Sequence, residues 1–102
     1  MRSESEILDR AGKANRILND ELYTEAWQTV RDEILRKWET SPVRDNDGRE
    51  YLYLMLKALN DARGYLEHAA RDGKVVIHLQ DQREKESKRL TDLFKFTKQG
   101  RA

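Results

Sequence analysis

Leu52, Met55, Leu59, Ala62, Leu66 and Ala69 follow one another at intervals of 3, 4, 3, 4 and 3 residues, the tightest constraint anywhere in the chain. Alternating threes and fours keep side chains on one face of an α-helix, whereas a half-buried strand needs apolar residues at every second position. Tyr51, Leu54, Leu56, Ala58 and Tyr65 widen this face. A face that broad exceeds what one neighbouring helix covers, so contacts with a second helix and with a further helix or subunit are expected.

The rest of the sequence supplies the partner helix. Tyr23, Trp27, Val30, Ile34 and Trp38 recur every three or four residues, with Arg31, Asp32, Glu33, Arg36 and Lys37 on the other side. Ahead of them Leu8, Ala11, Ala14 and Leu18 define a shorter helix to about Asn19. Ser3 and Glu6 stand at capping-box spacing at its start. Asn19 or Asp20 ends this helix or caps the next. Pro42 disfavours helical geometry at Ser41, which stops the second helix near Glu39 or Thr40. Asp47, with Glu50 three residues on, is the expected cap of the third helix. Gly73 in "RDGK" is placed to close that helix near Arg71 or Asp72 in a left-handed conformation. The β-branched run Lys74-Val75-Val76-Ile77 then reads as a short strand or as a helix resuming after a break. The absence of any second strand signal favours the helix.

Composition agrees with helices. Apolar residues make up 37% and charged residues 38% of the 102 positions, against about 45–50% and about a quarter in average domains. The core must therefore be narrow. The expected fold is all-α: one domain over 1–102, an antiparallel helical hairpin over about 20–72, a short N-terminal helix, and an extended basic C-terminal helix over about 75–98. Leu93, Phe94 and Phe96 form a small apolar cluster in that last helix.

Chemistry is hard to find in these residues. Asp45, Asn46 and Asp47 before Gly48 suggest a calcium loop. However, Gly48 is fourth rather than sixth from Asp45, and the twelfth position is Leu56 rather than a bidentate glutamate. A capped interhelical turn selects the same residue types. His68 and His78 are ten apart with no cysteine to assist them, which is no ligand spacing. The carboxylates lie near lysines or arginines, as Glu33 does to Lys37, and solvated ion pairs account for them. No catalytic residue, metal site, cofactor or small-molecule substrate is expected, and the chain reads as a non-enzyme. No apolar run approaches a membrane span or a signal peptide, and the lack of cysteine fits a reducing compartment.

Two surfaces remain. Trp27, Trp38, Tyr51, Tyr53, Met55, Leu59 and Leu66 are the candidate interface, Tyr53 standing off the main stripe. The net charge of +1 is unevenly spread: the segment 83–102 holds seven basic and three acidic residues, a net +4, leaving −3 for the rest. Lys85, Lys88, Arg89, Lys95 and Lys98 are accordingly the candidate contacts to nucleic-acid phosphates, diluted by Glu84 and Glu86.

The block "AWQTVRDEILRKWETSPVRDNDGREYLYLMLKALNDARGYLEHAARDGKV" resembles a family of short, mostly uncharacterised helical proteins of tailed bacteriophages and prophages. The residues that carry the likeness are Trp38, Ser41-Pro42, Arg44-Asp45, Gly48-Arg49-Glu50, the leucine-rich third helix and Asp72-Gly73-Lys74, in about half the chain from near Ala26 to near Val76. The resemblance implies a phage protein acting with virion or genome-packaging components, in the host cytoplasm or the virion, with no catalytic residues to carry over. Its partners would be copies of itself or phage structural proteins, with DNA as a further candidate. A small-terminase-like or regulatory nucleic-acid-binding module is the alternative, although no N-terminal helix-turn-helix is recognisable. A phage effector that blocks a host protein is another.

Overall fold

A computed structural model describes the backbone of residues 1–99 and the side chains of residues 1–95. It contains three α-helices: α1 (Glu4–Leu18), α2 (Glu21–Glu39) and α3 (Asn46–Gln99). No strand occurs among the described residues.

Local chemistry sets most of the boundaries. Ser3 Oγ accepts from the Glu6 amide at 3.2 Å and caps α1. Asp20 Oδ1 accepts from the Tyr23 amide at 2.9 Å and caps α2 only two residues after α1 ends. At the far end of α2, Thr40 and Ser41 turn their hydroxyls back onto the Arg36 and Trp38 carbonyls, at 3.0 and 2.6 Å, satisfying acceptors that the helix leaves open. Pro42 follows and disfavours any continuation of the helix.

Two expectations are corrected here. The cap of α3 is Asp45 and not Asp47: Asp45 Oδ1 accepts from the Gly48 amide at 3.1 Å, so Asn46, Asp47 and Gly48 already belong to the helix. Asp47 acts only as an acid in the first turn. Nor does Gly73 end a helix. No glycine among the described residues has a positive φ, and α3 runs through Gly73 and the 74–77 segment without a break. Its 54 residues span about 81 Å at about 1.5 Å per residue, close to the 86 Å longest dimension of the molecule.

The reason lies opposite the glycine. A methyl group on Gly73 would fall far inside contact distance of the Ala11 Cβ of α1. Gly73 therefore permits a close helix crossing instead of making a turn. Leu52, Leu59, Leu66 and Gly73 are seven apart, and Met55, Ala62, Ala69 and Val76 lie three residues after each, so one heptad seam runs down α3. The seam becomes polar at Gln80, Arg83 and Ser87.

α2 and α1 lie along this seam in succession, running opposite to α3. Trp38 meets Arg49, Trp27 meets Arg63, Ala11 meets Gly73, and Glu4 pairs with Arg83, so positions that fall on one side of the seam rise on the other. α2 and α3 fold back on each other at the 40–45 bend, yet α1 packs on α3 more intimately than α2 does. Small side chains explain the difference: Ala11, Ala14 and Ala70 are buried together with Gly73. Beyond Arg83 every described side chain of α3 is exposed.

Candidate association surface

Among the described residues the buried apolar side chains number five, Ala11, Ala14, Ile34, Ala70 and Val76, and none of the large ones is fully enclosed. Apart from Gly73, every other described position of the heptad seam stays at least partly in contact with water. The surface therefore carries more information about function than the interior.

The candidate interface residues separate into three groups. Trp27, Leu59 and Leu66 are half-buried and line the internal seam. Trp27 is held by Arg63, whose guanidinium lies 4.6 Å from the ring centre and 6.0 Å from that of Tyr23, while its Nε donates to Glu67 at 3.1 Å. The Trp27 Nε1 and one Arg63 nitrogen are buried without hydrogen-bond partners, so this junction of α2 and α3 is held by stacking and charge.

Trp38 and Tyr53 fall on one flank of the hairpin. They line a shallow apolar groove with Ile34, Leu35, Leu52 and Leu56. Arg49 stands beside it: the guanidinium stacks 4.3 Å from the Trp38 ring centre and donates to Ser41 Oγ at 3.0 Å. One arginine thus fastens the first turn of α3 to the last turn of α2 and fixes the hairpin bend. The acidic loop that suggests a calcium site holds this bend, with Asp45 working as the helix cap.

Tyr51 and Met55 fall on the opposite flank, in a second groove with Val30, Glu33, Ile34 and Lys37. Along this side of α3 Tyr51 is 65% accessible, Leu54 53% and Tyr65 60%. Leu54, Ala58 and Tyr65 are visible in the sequence as a widening of the apolar face, but periodicity alone does not separate the covered edge of a broad stripe from the bare one. Tyr65 has its hydroxyl held by Arg10 of α1 at 2.8 Å. The hydrogen bond and positive charge of Arg10, aided by Arg2, hold the phenol below the ordinary tyrosine range. Arg2, Arg10, His68 and Asp72 surround it in an open depression, with His68 Nε2 3.8 Å from Asp72.

Of the candidate nucleic-acid contacts, Lys85, Lys88, Arg89 and Lys95 are exposed on the far end of α3, past the pair that joins Arg83 to Glu4 of α1. Lys85 is paired with Asp81 at 3.1 Å. The side chain of Lys98 lies outside the described residues, as does that of Phe96. No helix among the described residues is long and apolar enough to cross a membrane, and among them no group of three or more His, Asp or Glu side chains gathers.

The architecture defines an all-helical protein in which two short helices line one long one. No family model, curated protein or solved structure matches the chain.

Proposed function

We propose that the protein is a non-enzymatic phage component that acts by helical association, oligomerising or docking on a larger assembly during virion assembly or DNA packaging. The observation that carries the association is the pair of bare apolar flanks on the α2–α3 hairpin, set against a core of five mostly small residues. Contiguous exposed apolar surface of this kind marks interaction sites in soluble proteins. The phage setting rests on the likeness of the 26–76 segment alone. Light scattering across a wide concentration range, together with binding to purified phage structural proteins, tests this reading. A mass above the monomer or saturable binding is expected. A strict monomer that binds none of them overturns it.

A second reading rests on the projecting end of α3, where Lys88, Arg89 and Lys95 stand clear of the rest of the molecule. In this reading the end is a phosphate-contacting arm. Retention of DNA or RNA at low salt, falling steeply as salt rises, is the expected result. Replacing Lys85, Lys88, Arg89, Lys95 and Lys98 by glutamate should abolish it. No retention by the native chain at low salt removes the arm from consideration.

A further inference from the structure

We infer that the flank of α3 bearing Tyr51, Ala58 and Tyr65 is covered by a second copy of this chain, related by a two-fold axis close to Ala58. The inference rests on the association reading above and names its partner.

Tyr51, Ala58 and Tyr65 are seven residues apart, and two helical turns bring such positions back to one face with a drift of only about 20°. Leu54, Met55 and Ala62 fill the intervals, and all six residues are exposed. Met55 and Ala62 are the bare edge of the seam that α2 occupies, and Tyr51, Leu54, Ala58 and Tyr65 extend that edge into a second stripe.

The stripe is nearly its own mirror along the helix. A small residue stands at the middle, and a tyrosine stands seven positions away on either side. A two-fold axis at the middle therefore sets Tyr51 of one copy against Tyr65 of the other, twice, and brings the two α3 backbones close at Ala58. Isologous interfaces require this kind of self-complementarity.

The rim carries matching charges. Lys57 and Asp61 lie on the outer border of the stripe and pair with each other at 3.0 Å, both largely exposed. The position midway between them is Leu59, one residue from Ala58, so the same axis brings Lys57 of each copy near Asp61 of the other. The Tyr65 hydroxyl already accepts from Arg10, so covering that ring does not strand its hydroxyl.

The area fits as well. The accessible surface is 8752 Å², where a compact chain of 12.1 kDa has about 6,000 Å². The excess of roughly 2,700 Å² includes the projecting end of α3 as well as the bare flanks, and the area that each member of an obligate dimer covers, about 1,000–2,500 Å², fits within it.

The chain contains no cysteine, so a single introduced thiol reports on this geometry without interference. Ala58→Cys in the 102-residue chain is oxidised mildly at micromolar concentration, beside Asn60→Cys, which points about 160° away around α3. Light scattering of the native chain runs in parallel. The expected result is a dimer mass, near-complete disulfide-linked dimer for Ala58→Cys, and little for Asn60→Cys. A mass that stays monomeric at hundreds of micromolar overturns the inference. So does an oligomer in which Asn60→Cys crosslinks and Ala58→Cys does not, which leaves the association reading standing. Saturable binding of a monomeric chain to a phage structural protein likewise defeats the second copy and keeps association.

Discussion

Gly73 and Gly64 sit nine residues apart in one helix and have opposite physical roles. Nothing lies within reach of a methyl group on Gly64, so Gly64→Ala removes only the entropic cost of a helical glycine and should stabilise by about 0.5–1 kcal/mol. A methyl on Gly73 meets Ala11, and α1 must move, so Gly73→Ala should destabilise by about 1–3 kcal/mol despite the better helix former. Chemical denaturation of the two variants checks both signs. The same method separates the two acids at the bend. Asp45→Ala loses the cap and should cost about 1 kcal/mol, while Asp47→Ala should cost a few tenths as an exposed first-turn charge. Tyr65 supplies a pH signature. Because Arg10 favours its phenolate, the folded pKa lies below the unfolded one. The extra stability of that contact is therefore present above the unfolded pKa and is lost as pH falls through the folded one. An ultraviolet titration should show phenolate absorbance beginning below the ordinary tyrosine range, and Tyr65→Phe should remove that early part.

The elements divide α3 into a covered and an uncovered length. From 46 to 83 the helix has α2 and then α1 along it, but among its described side chains the last buried one is Val76, and all those after it are exposed. A helix of this length standing free is marginal in water. Amides of 84–95 should therefore exchange with solvent much faster than those of 66–79, as hydrogen exchange can measure. The border is set by where α1 begins and where the seam turns polar. The Arg83 to Glu4 pair that marks it is solvent-accessible on both sides and contributes little stability of its own. Much of this layout is legible in the sequence. Ser3, Asp20, Thr40 and Pro42 act on neighbours within a few residues, and they mark the ends of α1 and α2. The continuity at Gly73 is not legible, because a glycine that ends a helix and a glycine that admits another helix have the same local sequence. Only Ala11, 62 residues away, distinguishes them.

As a whole the molecule is extended. Its radius of gyration is 24.0 Å, nearly twice the roughly 13 Å of a compact chain of this length. The five buried apolar side chains among the described residues are a small core to set against the conformational entropy of so long a helix. If a second copy supplies the missing burial, the melting temperature should rise with protein concentration. Ala58→Arg, which places a charge at the centre of the stripe, should lower it and remove the concentration dependence. The helical class, most of the caps and an apolar face wider than one partner all follow from the order of residues, since periodicity and capping act over a few positions. The continuity of α3 and the choice of α1 as its closest neighbour follow only from the folded chain. So does the division of the apolar face, with Tyr51 and Met55 on one bare flank and Trp38 and Tyr53 on the other. Those outcomes depend on which side chains meet across the seam, and such meetings join residues far apart in the chain.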